Sequence, residues 1–222
     1  IWTDVSGVFS ANPKIVKNSK AIESLSYKEA MELSFFGAKV IYFPTLQPLI
    51  EKSIPAYIKN TFDKDAIGTC ISNKGENNEE STIKGISHIE KISLINFEGS
   101  GMVGVPGFSK RFFGALSERG INVIMITQAS SEFSICVAVK ESDANNAKIS
   151  IDKEFEYEIS QRKINECQIE NSLSNIAIVG DKMKSKKGVS GKLFSTLGNN
   201  NINIRAIAQG ASERNISIII DE

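Results

Sequence analysis

The sequence contains one pattern twice. Residues 121–135 read INVIMITQASSEFSI, and residues 202–220 read INIRAIAQGASERNISIII. Ile121 thus corresponds to Ile202, and we call the spacing between these two isoleucines the repeat offset. Run backwards at the repeat offset without a gap, the match continues to Ser93 and Ser174. A gapless correspondence over about forty residues indicates a duplicated supersecondary unit.

The first copy opens with a predicted strand and a predicted helix. ISLINFEG at 92–99 is apolar and β-branched at strand length, and it ends in glycine. A loop rich in glycine follows, and residues 107–120 then place apolar side chains at helical spacing before Gly120.

The rest of the first copy predicts two strands, a helix and a last strand. The strands are INVIMITQ and EFSICVAV, and the helix spans residues 142–155 with Ser142 or Asp143 as its N-cap. YEISQ at 157–161 predicts the short last strand. The order β-α-β-β-α-β is ferredoxin-like, with two helices on one antiparallel sheet.

The second copy repeats only the beginning of this order. IAIVGD predicts its first strand, residues 188–200 its helix, and residues 202–209 and 215–220 its next two strands. The sequence stops at Glu222, before a second helix and a last strand. We therefore expect the second unit to be truncated.

Composition narrows the classes of function. Lys plus Arg and Asp plus Glu both number 26, and zero net charge argues against nucleic-acid and membrane-surface partners. The apolar stretches have strand length, so we expect no membrane span. Three dispersed cysteines fit a reducing, cytoplasmic compartment, and a single histidine argues against a histidine-based metal site.

Residues 1–72 share nothing with the repeat. Ser26 and Glu29 form a capping box ahead of an amphipathic helix at 26–40. SIPAYIKNTF and GTCIS predict strands, and the polar stretch that follows predicts a linker. The predicted domains are residues 1–72, a linker at 73–82, and repeat units at 83–166 and 167–222.

The motifs WTDVSGVFSANPK, SYKEAMELSFFGAKV and SIPAYIKNTFDKDAIGT resemble, in this order, the C-terminal part of the aspartokinase catalytic domain. The repeat resembles the tandem ACT domains that follow it, most closely those of bifunctional aspartokinase/homoserine dehydrogenases. The resemblance implies an α/β amino-acid-kinase piece followed by two ferredoxin-like α+β ACT units. It also implies phosphorylation of L-aspartate by ATP with Mg, without a tightly bound cofactor.

The same resemblance implies which residues line the ATP site. They are Thr3 and Asp4 of the WTDV motif, Phe9, Lys14, and Lys39 of the FGAKV motif. The family's upstream lysine, glycine and substrate-binding motifs would precede Ile1. Since phosphoryl transfer needs several such parts together, we expect this segment alone to be inactive.

The repeat itself predicts how a free amino acid is bound. Backbone N–H groups at helix N-termini suit a carboxylate, and Gly107 and Gly188 stand at two such termini. Gln128 and Gln209 end equivalent strands and carry amides that suit a hydroxyl, while an asparagine begins each strand and suits the ammonium. Two units packed together then give two equivalent sites, each with parts from both copies.

The resemblance implies the membership of these effector sites. One site takes Gly107, Ser109 and Gln128 with Ser190, Asn203 and Ile204. The other takes Gly188, Ser190 and Gln209 with Ser109, Asn122 and Val123. Lysine-sensitive relatives carry an acidic residue where this chain has Ile124, so L-threonine is favoured over lysine; methionine is a further aspartate-family effector to test.

Simpler interpretations of the predicted effector-site residues stay open. The glycines are also ordinary turn residues, the glutamines are also ordinary surface residues, and the asparagines also fit helix-to-strand turns. The alternative function is a stand-alone ACT protein that senses amino acids and dimerises without catalysis. Either function predicts a homodimer or a higher oligomer. A nucleic-acid binder is disfavoured because the strands lack paired aromatic residues.

Overall fold

The chain forms two compact units that interleave along the sequence. The first contains Ile1–Ile89, Asn175–Asn203 and Gln209–Ile218, and the second contains Glu90–Ser174, Ile204–Ala208 and Ile219–Glu222. This computed structural model describes residues 1–35, 40–73, 75, 82–128, 133–184 and 186–222. Across these ranges, no helix has the length and apolar character that a membrane span requires.

The first unit has a four-stranded sheet with the order β1-β3-β4-β2. Its strands are β1 Trp2–Thr3, β2 Ser24–Ser26, β3 Ala56–Asn60 and β4 Thr69–Ser72. Strands β1 and β3 run parallel, as do β2 and β4, whereas β3 and β4 are antiparallel with Ala56 opposite Ile71. The two predicted strands β3 and β4 are thus confirmed, each shorter than its apolar pattern.

Two helices accompany this sheet, α1 Tyr27–Phe35 and α2 Gln47–Glu51. The predicted capping box at the start of α1 is confirmed. The Ser26 N–H donates to Glu29 Oε2 at 2.9 Å, and the Glu29 N–H donates to Ser26 Oγ at 3.1 Å. These reciprocal bonds satisfy two donors that a helix N-terminus otherwise leaves open.

The core of the first unit contains residues from the segment before the repeat and from the repeat itself. The fully buried Leu25, Ile58 and Ile71 come from the sheet, and Val179 comes from the repeat. Burial of each such side chain contributes about 1.5–3 kcal/mol, so the repeat shares its stability with the segment that precedes it.

The second unit carries a six-stranded sheet with the order β6-β7-β5-β8-β10-β9, and three of its strands continue into the first unit. The strands are β5 Gly85–Glu98, β6 Met125–Gln128, β7 Ser134–Lys140, β8 Gln168–Val179, β9 Ile204–Ala208 and β10 Asn215–Asp221. Strands β5 and β7 are antiparallel with Ile95 opposite Val137, and β6 and β7 are antiparallel with Met125 opposite Ala138.

The helices of the repeat confirm most of the sequence prediction. They are α3 Phe108–Glu118, α4 Glu141–Glu154, α5 Glu156–Ser160 and α6 Val189–Asn199. Helices α3 and α6 correspond residue by residue at the repeat offset. The strand order β6-β7-β5-β8, with α3 and α4 as the connections, is that of a ferredoxin-like unit.

Two predictions for the end of the first copy are wrong. Helix α4 begins at Glu141 after the extended Lys140, so neither Ser142 nor Asp143 is its N-cap. YEISQ falls mostly in helix α5, and the last strand of the copy comes later, in β8. Ile159 packs against the core from α5, so tertiary burial outweighs the strand propensity of this short segment.

The strand that completes the second copy comes from earlier in the chain. In the first unit, the Lys84 N–H donates to the Val179 carbonyl at 2.7 Å, immediately before β5 begins. In the second unit, the Asn165 N–H donates to the Glu98 carbonyl at 2.9 Å. Asn165 corresponds to Lys84, and Glu98 corresponds to Val179, at the repeat offset. The start of β5 therefore stands where the last strand of the second copy is expected.

The core of the second unit lies between the helices and one sheet face. Phe97, Phe112 and Phe155 are fully buried there, with ring centroids of neighbouring rings 4.6 and 5.5 Å apart. These rings fix α3 and the end of α4 against β5, and α3 begins at the pocket described next.

Candidate functional site

Helices α3 and α6 begin in the same unusual way. Each follows a glycine in the left-handed region, Gly107 with φ 98° and Gly188 with φ 88°, and neither glycine has a side chain that could cap its helix. Only glycine adopts this conformation without steric cost. The first N–H groups of both helices are therefore available to an anion, with the helix dipole adding to the attraction.

A pocket of about 550 Å³ lies at the start of α3. Its lining residues are Met102, Gly104, Val105, Pro106, Gly107, Phe108, Ser109, Lys110, Gln128 and Ile135. We call it pocket 1. All of these residues belong to the second unit.

A second pocket, of about 260 Å³, lies at the start of α6. Its lining residues are Met183, Lys186, Lys187, Val189, Ser190, Gln209, Glu213 and Ile216. We call it pocket 2. All of these residues belong to the first unit.

The two pockets are equivalent at the repeat offset. Four positions correspond with an identical residue type in each copy: Met102 and Met183, Ser109 and Ser190, Gln128 and Gln209, Ile135 and Ile216. The methionines and isoleucines are at most 4% exposed and form an apolar floor, whereas the glutamines are exposed at strand ends. An apolar floor with amide, hydroxyl and N–H groups above it suits a small zwitterion with a short side chain.

The pockets differ at their rims. Val105 and Pro106 in pocket 1 correspond to Lys186 and Lys187 in pocket 2. Among the lining residues that the structure describes, pocket 1 is therefore the more apolar of the two.

Five of the residues that the sequence predicts for effector binding line the two pockets. Gly107, Ser109 and Gln128 line pocket 1, and Ser190 and Gln209 line pocket 2. Gly188 caps α6, whose first residue Val189 lines pocket 2.

The described part of neither pocket is lined by the four residues from the starts of the equivalent strands that were assigned to the opposite copy, Asn122, Val123, Asn203 and Ile204. Asn122 and Asn203 are exposed before their strands, and Ile204 begins β9. Strand β9 contacts β6, which ends at Gln128, so one strand of the second copy does lie beside the strand that carries a pocket 1 residue. A site shared by both copies stays a prediction.

Sequence reasoning missed the floor of each pocket. Met102 and Met183 align at the repeat offset, as do Ile135 and Ile216, but their apolar character resembles that of any core residue. Only their position in the same pocket as an exposed glutamine distinguishes them. The sequence offers their recurrence at the repeat offset as the one signal.

An aromatic and ionic cluster supports the wall of pocket 1. Phe108 stacks on Phe155 with ring centroids 5.4 Å apart, and the Arg111 guanidinium lies 4.3 Å from the Phe155 centroid. Arg111 donates from Nη1 to Glu158 Oε1 at 2.5 Å and from Nε to Glu154 Oε1 at 2.7 Å. The hydrogen bond from Arg111 lowers the pKa of Glu158, and the same bond raises the pKa of Arg111.

Comparisons with known proteins agree over nearly the whole chain. A model of the ACT domain matches residues 95–155 and 176–222, and a model of the amino acid kinase family matches residues 1–60. The bifunctional aspartokinase/homoserine dehydrogenase of Haemophilus influenzae is 43% identical over 222 residues, which is 100% of this chain and 27% of that protein. The chain belongs to the aspartokinase family.

Solved aspartokinase structures share this fold. Clostridium acetobutylicum aspartate kinase superposes with a TM-score of 0.87 at 30% identity, over 99% of this chain and 50% of that one. Escherichia coli aspartokinase III in complex with aspartate and ADP gives 0.82 at 27% identity, over 100% and 48%. Its complex with lysine and aspartate gives 0.77 at 28% identity, over 100% and 47%. The chain thus spans about half of these aspartokinases and about a quarter of the bifunctional relative.

The structure describes four of the five residues that were assigned to ATP. Thr3 ends the edge strand β1, and its Oγ1 lies 3.1 Å from Asp4 Oδ1. Phe9 forms an isolated bridge with Ala21, and Lys14 is exposed. Lys39 lies outside the described residues, so the position of this predicted contact stays a prediction.

Proposed function

We propose that the whole protein transfers a phosphoryl group from ATP to L-aspartate, and that pockets 1 and 2 bind L-threonine as a feedback effector. The observation that carries the effector proposal is the recurrence of one pocket at the starts of α3 and α6, with Gln128 and Gln209 at equivalent rims. The glutamine recurs together with its serine, methionine and isoleucine neighbours around a pocket in each copy, which supports a shared binding role.

The chemistry of each pocket fits the three groups of threonine. The carboxylate accepts from the uncapped N–H groups that begin α3 or α6. The hydroxyl exchanges hydrogen bonds with the glutamine amide, which both donates and accepts. The methyl group lies over the buried methionine and isoleucine of the floor. The ammonium is assigned to Asn203 for pocket 1 and to Asn122 for pocket 2, contributed by the opposite copy.

Threonine fits pocket 1 better than lysine does. Ile124, where lysine-sensitive relatives carry an acidic residue, is 8% exposed and offers no charge to a lysine ammonium. Lys110 is the charged side chain among the described residues of the lining, and it repels a cationic ligand. A ligand with a neutral side chain needs no partner charge at Ile124 and is not repelled by Lys110.

The kinase assignment rests on the N-terminal segment of the chain. Residues 1–60 match the amino acid kinase model, and Escherichia coli aspartokinase III, which aligns with the entire chain, was solved with aspartate and ADP. Thr3, Asp4, Phe9, Lys14 and Lys39 are proposed to contact ATP. Because these residues form part of a site, we expect the 222-residue chain alone to produce no aspartyl hydroxamate from ATP and aspartate.

A stand-alone ACT sensor without catalysis is the second candidate. It would bind the same effector, so binding does not separate the two functions. Aspartate-dependent ATP turnover by the whole protein separates them, because only the aspartokinase proposal requires it.

Isothermal titration of this chain with L-threonine tests the effector proposal, with L-valine, L-lysine and L-methionine as comparisons. Valine has nearly the shape of threonine but no hydroxyl, so it leaves the amide unpaired and should bind much more weakly. Equal binding of valine, or tighter binding of lysine or methionine, would contradict the assignment of threonine.

A further inference from the structure

A buried carboxylate of the catalytic segment hydrogen bonds to the second ACT copy. Glu29 and Ser26, the two residues of the capping box of α1, are each 3% exposed. Glu29 Oε2 is used by the box itself, whereas Glu29 Oε1 accepts from the Asp181 N–H at 2.8 Å. Every residue of this contact belongs to the first unit.

The Asp181 side chain accepts hydrogen bonds from the capping box of α1 and from the second copy. Its Oδ2 accepts from Ser26 Oγ at 2.5 Å, and its Oδ1 accepts from Arg214 Nε at 2.6 Å. The Asp181 and Arg214 side chains are 33% and 29% exposed, so the pair is partly shielded from solvent. Asn215 Nδ2 further donates to Glu32 of α1.

The same two short segments form part of pocket 2. Asp181 begins a 3-10 turn that ends at Met183, a floor residue of the pocket. Arg214 follows Glu213, which also lines the pocket, and the Gly180 N–H donates to the Arg214 carbonyl at 2.9 Å. Pocket 2 is thus lined by the two segments that carry Asp181 and Arg214, and Asp181 is hydrogen bonded to the capping box of α1.

We infer that Asp181 and Arg214 are positioning residues that couple occupancy of pocket 2 to helix α1 of the catalytic segment. This inference rests on the proposed effector function of the pocket. Helix α1 ends at Phe35, shortly before Lys39, which is assigned to ATP.

The coupling is specific to the second copy. The positions equivalent to Asp181 and Arg214 in the first copy are Ser100 and Phe133, which cannot form an ion pair. The first copy forms its pocket without an equivalent pair, so the ion pair is a separate feature of the second copy and not a requirement of the ACT fold. Closely packed, hydrogen-bonded contacts pass on small shifts because they favour discrete arrangements.

Hydrogen exchange tests the coupling on the 222-residue chain. The amide exchange rates of residues 27–35 are measured by mass spectrometry without and with saturating L-threonine, while calorimetry on the same samples reports binding. We expect threonine to change these rates by about five-fold in the parent chain, within the usual range of coupling between sites. Asp181→Asn and Arg214→Met should bind threonine but lose most of this change.

Arg205→Met is the matched control, because Arg205 also pairs with carboxylates, Asp221 and Glu170, but neither of them belongs to α1, so the response should stay intact. Threonine binding without any change in α1 exchange, or an unchanged response in both Asp181→Asn and Arg214→Met, would overturn the coupling but leave the effector proposal standing. Absence of binding heat in the parent would overturn the effector proposal and the coupling together. Asp181→Asn preserves side-chain shape, so it remains informative if Arg214→Met unfolds.

Discussion

Lys91 and Ser172 share a left-handed backbone conformation, with φ values of 56° and 59°, at positions that correspond at the repeat offset. The N–H of Lys91 donates to Glu222 Oε1 at 2.6 Å, and the N–H of Ser172 donates to Glu141 Oε2 at 3.1 Å. The two glutamates correspond at the same offset. The duplication therefore extends beyond the recognisable sequence match, into the middle of the long strands β5 and β8.

The left-handed backbone conformation of Ser172 predicts that glycine at this position stabilises the fold. A non-glycine residue in the left-handed region costs about 1 kcal/mol, whereas glycine adopts it freely but loses more entropy on folding. We expect Ser172→Gly to raise the free energy of unfolding by about 0.5 kcal/mol in urea titrations. Ser174→Gly, in the same strand at a residue with negative φ, should lower it by about 0.5–1 kcal/mol. Equal effects of the two changes would contradict the conformational argument.

The pocket glutamines should determine threonine affinity separately. Gln128→Ala is expected to cost about 1–3 kcal/mol of binding free energy in pocket 1, because it leaves the threonine hydroxyl unpaired. Gln209→Ala should weaken pocket 2 by a similar amount and leave pocket 1 largely intact. Gln47→Ala, on helix α2 outside both pockets, is the control. Titration curves for both pocket variants that match the parent would refute the ligand assignment.

We expect alanine to lower the free energy of unfolding when it replaces the glycine at the start of α3, and to raise it when it replaces a glycine inside that helix. Gly107→Ala places a Cβ at φ 98° and should cost about 1–2 kcal/mol of unfolding free energy. Gly114 lies within α3 with no atom within 4 Å of an added Cβ, so Gly114→Ala should stabilise by about 0.5–1 kcal/mol. Thermal unfolding of the two variants measures the difference, and a neutral Gly107→Ala would count against the need for glycine at this cap.

The Arg111 cluster predicts a pH-dependent contribution to stability. The hydrogen bond from Arg111 lowers the pKa of Glu158 in the folded state, so this stabilisation is present above the unfolded pKa, near 4.5, and is lost as the pH falls through the folded value. Arg111→Met should cost about 1–2 kcal/mol at pH 7, a modest amount because the Arg111 side chain is 38% exposed.

The difference between Arg111→Met and the parent should shrink below pH 4.5 in urea titrations at several pH values. Arg119→Met, at the exposed end of α3, should show no such trend. A cost of Arg111→Met that is the same at pH 3 and pH 7 would mean that packing, not charge, holds Arg111.

Self-association is expected from the apolar side chains that both copies expose at one equivalent position. Ile126 on β6 is 50% exposed and Ile207 on β9 is 44% exposed. We expect a dimer or higher oligomer by light scattering at micromolar concentration, with Ile126→Lys shifting it toward monomer. Ile149→Lys, at an isoleucine that is 60% exposed on α4, is the control. A monomeric parent chain would contradict the prediction.

The sequence by itself determined several features that depend on neighbouring residues. The capping box of α1 follows from the close spacing of Ser26 and Glu29, and the left-handed starts of α3 and α6 follow from Gly107 and Gly188. The duplication was visible because insertions and deletions are absent between the copies, which made equivalent pocket residues predictable from a single offset.

Tertiary structure alone decided the features that join distant residues. The pairing of Lys84 with Val179, which supplies a strand to the second copy, depends on backbone hydrogen bonds, and these carry no mark in the side-chain pattern. YEISQ became helical because packing against the core outweighed its weak strand preference. The contact of Asp181 with Ser26 and Glu29 joins positions that are far apart in the sequence, and only folding brings those charges and donors within bonding distance.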